Sequence, residues 1–390
     1  MTHGNEIEPT PLREEFEQRA GLVYFNHAGV APLPRRSVRI IAKLAEHMAQ
    51  HGASRYHELN AVHEGARQRC ARLLDVPARH IAFVPNTSEG LSFVGLGVDW
   101  HAGDEIVTTD QEFPSNIVIW LDLARRHGLK VHQVPSGSNG RVDALALLER
   151  VNARTRVVTV SSVQFGTGAV VDLQRIGAAL RATSTLFVVD GIQSLGILPT
   201  YSATLGIDAL CADGHKWLLG PEGCGLLYLS EKGLEQIQPR VVGWHSVANA
   251  GQYQHICIDP REDCRRFEAG SPNLLGAAAL GESVGLLLEA GVEHVQERVQ
   301  RLVAALTTGL RDLGCIIHTP VEQDGFPGAG ILVFSHPAKP SPVMHRELTS
   351  RNIYHALRGA GLRFSPHFYQ DTRDVSLALA AVAEALSAQG

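Results

Sequence analysis

Four short runs constrain this chain most: Ile81–Val84, Asp104–Thr109, Val157–Ser162 and Leu186–Asp190. Each has an apolar or β-branched centre, ends in polar or capping residues, and is followed by a stretch of helical periodicity. A strand that is apolar on both faces must be covered on both faces, and helices returning between parallel strands provide that cover. The expected fold class is therefore α/β, with a mainly parallel sheet between helices. A weaker pattern follows. Residues 231–270 read as loose connections, and helices are expected from Asn273 through Leu288 and over 292–313. Short strands near 315–318, 329–335 and 352–357, with helices at 342–351 and 372–388, then make a smaller α+β lobe.

At 390 residues the chain is too long for one small core, which also argues for two lobes. The net charge of −5 gives no basic footprint for nucleic acid. No run approaches ~20 apolar residues, so no membrane span is expected. The N-terminus, Met1-Thr-His-Gly-Asn-Glu-Ile-Glu-Pro9, is polar and acidic rather than signal-like, and a cytoplasmic location is expected. Cysteines at 70, 211, 224, 257, 264 and 315 have no metal-ligand spacing and read as reduced and mostly buried. His47 and His51 share a helix face, and without a third ligand nearby that face reads as solvated.

Candidate functional residues gather where strands stop, which is where open α/β sheets bind ligands. Lys216 lies in Asp208-Ala-Leu-Cys-Ala-Asp-Gly-His-Lys-Trp-Leu-Leu-Gly-Pro-Glu-Gly-Cys-Gly225, after an apolar run and in a glycine-rich setting. Such a lysine is either a surface group near a turn or a partly desolvated amine able to form a Schiff base with an aldehyde. Asp190, the carboxylate ending a buried strand upstream, favours the second reading. An amine and an anion converging on one pocket are what pyridoxal phosphate requires, the anion for its pyridinium nitrogen. Thr87 and Ser88 open a helix after Ile81–Val84, and serve either as a cap or as a phosphate site. Phe113 just past a strand end is either core or a lid over a flat cofactor. Gln193 is either a solvated turn residue or a ligand contact, and so are Asn26 and His27 in a Gly/Pro-rich loop.

Taken together, Asp190-x-x-Gln193, His215-Lys216, the Thr87/Ser88 helix start and Arg266-Phe-Glu-Ala-Gly-Ser-Pro-Asn273 resemble the class V aminotransferase family. These are fold-type I pyridoxal-phosphate enzymes, among them cysteine desulfurases, kynureninase and isopenicillin epimerase-like proteins. The resemblance runs from about Tyr24 to the C-terminal helix. It implies a seven-stranded-type sheet in a large cofactor-binding domain over 22–284, with 1–21 and 285–390 forming the small domain. It also implies that Lys216 holds the cofactor aldehyde and then moves the substrate Cα proton, while Asp190 keeps the pyridine nitrogen protonated. Gln193 is implied at the ring hydroxyl, Phe113 over the ring, and Thr87, Ser88 and His215 at the phosphate, with Ser162 among the cofactor contacts. Ser271 matches a hydroxyl that reaches the neighbouring subunit's phosphate, implying a homodimer with shared active sites. Arg363, in Leu362-Arg-Phe-Ser-Pro-His-Phe-Tyr369, is implied as the partner of the carboxylate of an amino-acid-like substrate, whose other contacts would include Asn26, His27 and Trp244.

The sequence departs from the desulfurase pattern in three places. Asp213 stands where many relatives have serine, and its carboxylate is expected to turn away from the phosphate. Phe113 replaces the desulfurase histidine and handles no proton. Tyr354-His-Ala-Leu-Arg-Gly-Ala-Gly-Leu-Arg363 is too short for the desulfurase cysteine loop and contains no cysteine. A lyase acting by C–S cleavage or β-elimination is therefore expected in preference to persulfide-forming desulfuration. The alternatives are an aminotransferase or an epimerase, and more remotely a non-catalytic scaffold of the same fold.

Overall fold

The computed structural model of the chain describes residues 7–137, 140–320 and 328–387. Residues 1–6 of the N-terminal reading, part of the expected small domain, lie outside them, as does residue 388 of the last expected helix.

The large sheet has seven strands. From one edge to the other they are Ile81–Val84, Gly225–Leu229, Ala209–Asp213, Leu186–Asp190, Thr155–Ser161, Glu105–Thr109 and Lys130–Val134. Gly225–Leu229 runs antiparallel to both its neighbours, and the remaining pairs are parallel. Its central strands are buried along their whole length, as their unbroken apolar sequences require. Lys130–Val134 keeps exposed residues, and a lysine on such an edge discourages pairing with other chains. Ala209–Asp213, read from sequence only as an apolar run, is a full strand beside Leu186–Asp190, with Asp190 in register with Cys211. That pairing brings Asp190 and the Lys216 turn to the same end of the sheet.

Helix starts follow the capping residues. Asn86 precedes Thr87–Gly97 and accepts from Glu89 N, and Asn273 precedes Leu274–Ala290 and accepts from Gly276 N. The C-terminal part forms a four-stranded antiparallel sheet ordered Ala356–Arg358, Gly361–Phe364, Leu332–Ser335, Ile316–Ile317. The expected strand 352–357 is two strands in two sheets. Ile353–Tyr354 pairs in parallel with Val23–Tyr24, whereas Ala356–Arg358 pairs with Gly361–Phe364. Buried His355, its Nδ1 2.8 Å from the Ile353 carbonyl, sits at the break. This splice ties the segment leading into Asn26 to the strand carrying Arg363. The polar helix read near 12–20 is a 3-10 turn, Pro11–Glu15. Among the described residues no single helix is long and apolar enough to cross a membrane.

Candidate active site

Strand ends, one helix start and the hairpin carrying Arg363 enclose a cavity of about 360 Å³. Lys216 forms part of its wall and is only 9% exposed. The turn that presents it is strained: Leu219, fully buried, has φ +60°, in a region that costs an L-residue roughly 1–2 kcal/mol. Its N–H closes the turn on the Lys216 carbonyl at 3.0 Å. Gly196, with φ +107°, lets the Asp190 loop pack against this turn, since a Cβ there would lie 2.4 Å from the Trp217 carbonyl oxygen.

Burial disfavours the charged amine and lowers the Lys216 pKa to about 8; Asp190 opposes the shift, and Arg363 adds to it. The Phe113 ring lies over the amine, its centroid 5.5 Å from Nζ, and Phe165 braces that ring edge-on at 5.0 Å. Only the neutral amine attacks an aldehyde. Reconstitution of cofactor-free protein with pyridoxal phosphate should therefore speed up as pH rises towards about 8 and level off above it. Stopped-flow absorbance checks this, and a rate still climbing towards pH 10 would contradict it.

Asp190 is 1% exposed. Its Oδ1 accepts from Ile192 N at 3.0 Å, while Oδ2 is buried without a partner. Burial raises its pKa to about 7, with the Ile192 N–H opposing and the Glu112 charge adding. A buried carboxylate oxygen lacking a donor fits a protonated ring nitrogen.

At the other end of the cavity, Thr87 and Ser88 begin the eleven-residue helix Thr87–Gly97. Its free N–H groups and dipole suit a phosphate. The Ser88 and Ser115 hydroxyls are 2.7 Å apart, and Thr87 Oγ1 accepts from Asp213 N at 3.0 Å. Asp213 remains on the cavity wall instead of leaving it. Its Oδ1 accepts from Gly214 N at 2.7 Å and its Oδ2 lies 2.9 Å from His215 Nδ1. These contacts engage its charge, the physical problem the sequence posed.

Arg363 also lines the cavity and is 2% exposed. Its guanidinium donates to the Phe165 carbonyl at 3.1 Å and reaches Asn26 Oδ1 at 3.5 Å, while Nε is buried without a partner. Among the described residues no carboxylate pairs with it. Burial, with Arg358 adding, lowers its pKa to about 10. Gln193 has its Oε1 taken by Trp217 Nε1 at 2.8 Å and one N–H directed to the Ala28 carbonyl at 3.1 Å, which leaves it a single amide N–H to offer.

The structure thus gathers Asn26, Thr87, Ser88, Phe113, Gln193, His215, Lys216 and Arg363 around one space, with Asp190 buried beside it. Three expectations need correction for the single chain, those for His27, Ser162 and Trp244. His27 is fully buried behind Asn26, its ring nitrogens each 2.8 Å from the Ser365 carbonyl and the Tyr369 hydroxyl, so it supports the wall and touches no substrate. Ser162 is buried with its hydroxyl on the Asp190 carbonyl and Ser194 Oγ, and steadies the strand end without reaching the cavity. Trp244 and Ser271 line other surface hollows. Neither lines this chain's own Lys216 cavity, which for Ser271 accords with an expected reach to the neighbouring subunit. Sequence reading missed Ser115 and Glu112, whose partners come from distant segments and leave no local signal.

A mainly parallel sheet ending in a buried lysine, a buried carboxylate and an anion-binding helix start defines a pyridoxal-phosphate-dependent enzyme. The aminotransferase class-V family model matches residues 23–353, and the chain belongs to that family. A probable cysteine desulfurase of Pyrococcus abyssi is 28% identical, over 84% of this chain and 82% of its own length. One from Methanothermobacter thermautotrophicus is 30% identical, over 73% and 71%. Among solved structures, the cystine C–S lyase C-DES in complex with its reaction product cysteine persulfide superposes with a TM-score of 0.86 at 27% identity, covering 94% of this chain and 98% of that one. A C-DES mutant with glycine covalently linked to the pyridoxal-phosphate cofactor gives 0.89 at 27% identity, over 96% and 100%.

Proposed function

We propose that this enzyme is a lyase that cleaves a C–S bond, or eliminates another β-substituent, of a small amino acid. The carrying observation is Arg363, a buried guanidinium with no carboxylate partner among the described residues, in one cavity with the Lys216 amine, whose charge burial disfavours. The substrate carboxylate completes Arg363, whose planar fork can bind both oxygens. Asn26 steadies that fork from one side. Lys216 takes the proton from Cα and can return it. Thr87, Ser88 and His215 would hold the cofactor phosphate, Asp190 its ring nitrogen, Gln193 its ring oxygen and Phe113 its face. Bound there, pyridoxal phosphate supplies an aldehyde for the amine and an electron sink for the charge developing at Cα.

The relatives support the choice of lyase, since they are described as cysteine desulfurases and a cystine C–S lyase. Among the described residues of one chain, none lining the cavity is a cysteine. Incubation with cysteine, cystine, S-alkyl cysteines, alanine and aspartate tests the reading through pyruvate, sulfur product, keto acid and Cα deuterium exchange. Pyruvate with a sulfur product is expected. Deuterium exchange or stoichiometric amine transfer without pyruvate would rule out the lyase in favour of an epimerase or an aminotransferase.

We further propose that the enzyme is a cytoplasmic homodimer, with residues 22–284 as its large domain. Six unpaired cysteines, five of them buried, agree with a reducing compartment. The stretch 241–258 exposes Val242, Trp244, Tyr253, Ile256 and Ile258 at 47–94%, more apolar surface than one loop of a monomer ordinarily carries. A second copy covering this loop would give Trp244 and the Ser271 loop a place beside the partner's cavity. Ile258→Asp is expected to shift the species seen by light scattering from dimer to monomer and to weaken cofactor retention. An unchanged mass would dismiss this face as the interface.

A further inference from the structure

Glu112 directly precedes Phe113, yet its carboxylate turns inward to the end of strand Thr155–Ser161. Oε1 accepts from Ser161 N at 2.8 Å and Gln164 Nε2 at 3.0 Å, and Oε2 accepts from Ser161 Oγ at 2.5 Å and Asn116 Nδ2 at 2.8 Å. Gln164 and Asn116 are fully buried. Asn116 cannot present its oxygen instead, because Oδ1 already accepts from Trp120 Nε1 at 3.0 Å and Thr159 Oγ1 at 2.7 Å. As these side chains lie, four converging donors are matched by the lone pairs of an ionised carboxylate, with Gln164 Oε1 left buried without a partner. Reversing the Ser161 hydroxyl to accommodate a proton would cost it the acceptor it has here. Burial raises the Glu112 carboxyl above the usual carboxylate range, and the Ser161, Gln164 and Asn116 hydrogen bonds oppose that rise without cancelling it.

Ser161 is the register neighbour of Asp190 on the adjoining strand. The contrast between the two carboxylates is sharp. Glu112 has four donors; Asp190 has the Ile192 N–H and one oxygen without a partner. The other titratable groups acting with Asp190 are Lys216, from the turn beyond the next strand, and Cys211, its register partner, whose thiol Asp190 helps push up. A carboxylate fixed as an anion near a second, under-solvated carboxylate drives protons towards the second one and whatever it touches.

We propose that Glu112 is a positioning residue whose fixed negative charge acts through Asp190 to keep a proton at the ring nitrogen of the bound cofactor. This rests on the reading that Asp190 meets that nitrogen. Glu112 touches neither substrate nor cofactor; its effect is exerted across the strand pair Ser161–Asp190. The raised Asp190 carboxyl agrees, since Glu112 is the charge that adds to burial there.

The test uses the full-length protein stripped of cofactor and two probes: pyridoxal phosphate and its deaza analogue, in which carbon replaces the ring nitrogen. Dissociation constants are read from tryptophan fluorescence. Wild type should prefer pyridoxal phosphate; absence of that preference overturns the Asp190 reading itself. In Glu112→Gln, affinity for pyridoxal phosphate should fall about 10-fold while that for the analogue changes by less than about 2-fold. Glu112→Asp, which keeps the charge, should restore the preference. Equal loss for both probes would make Glu112 only an anchor for the Phe113 loop, and loss for neither would make it inert; either overturns the proposal. Should Glu112→Gln fail to fold by circular dichroism, wild type selectively labelled at its carboxyl carbons decides. The Glu112 signal must then stay at its ionised shift down to about pH 5, and titration in the neutral range overturns the proposal.

Discussion

Lys216→Ala is expected to lower turnover by at least about 10⁴-fold, because in the proposed function one side chain supplies both the amine for the cofactor aldehyde and the base at Cα. The variant should still fold. Lys216 is buried, its charge is disfavoured by that burial, and replacing it removes a poorly solvated charge. Circular dichroism and melting temperature should therefore match or exceed wild type, while the visible absorbance of the cofactor-loaded enzyme is lost or shifted. Added small amines should return part of the activity by entering the space vacated. Retention of more than a few per cent of wild-type turnover would assign the Cα proton to another group, and among the cavity-lining residues His215 would be examined first.

Arg363→Leu carries the second large effect, and it has two opposite signs. Catalytic efficiency on amino acids should fall about 10²- to 10³-fold, chiefly through KM, because truncating one partner of a buried charge pair leaves the other unpaired. The melting temperature of the substrate-free protein should rise. In the resting fold Arg363 is a buried cation without a carboxylate partner among the described residues, and removing it relieves a desolvation cost. An amine substrate lacking the carboxylate should be handled equally by variant and wild type. A falling melting temperature with unchanged KM would instead make Arg363 a structural strut between Asn26 and Phe165.

The two effects share a cause. The site holds groups that are stable only when their partners arrive: an amine whose charge burial disfavours, a carboxylate oxygen without a donor, and a guanidinium without an anion among the described residues. Each is buried in a fold that could have packed apolar residues there. Such unpaired polarity marks a place selected for binding at the expense of stability.

Much of this was legible before the fold was known. The apolar strands gave the sheet, because a strand apolar along its whole length has no choice but to be covered on both faces. Capping residues gave the helix start at Thr87, since an Asn or Thr side chain beside free N–H groups is a local chemical fact. Lys216, Asp190 and Gln193 were legible because each ends or follows a strand, and strand ends of an open sheet converge. What local pattern could not decide was depth and direction. His27 and Asn26 are adjacent in sequence, yet one is buried against Tyr369 and the other faces the cavity. Ser162 and Ser161 are both buried yet turn to different partners, one steadying the Asp190 backbone and the other anchoring Glu112. A turn rotates successive side chains to opposite sides, and only the partners brought by distant strands settle which side is the pocket. The strand at 352–357 was divided for the same reason, its two halves being claimed by different neighbours. Sequence by itself determined the kind of site this protein builds, through residue chemistry and periodicity. The tertiary structure alone decided which carboxylate would be held as an anion and which left under-bonded beside it, because hydrogen-bond donors gathered from residues 116, 161 and 164 meet at Glu112 only once the chain has folded.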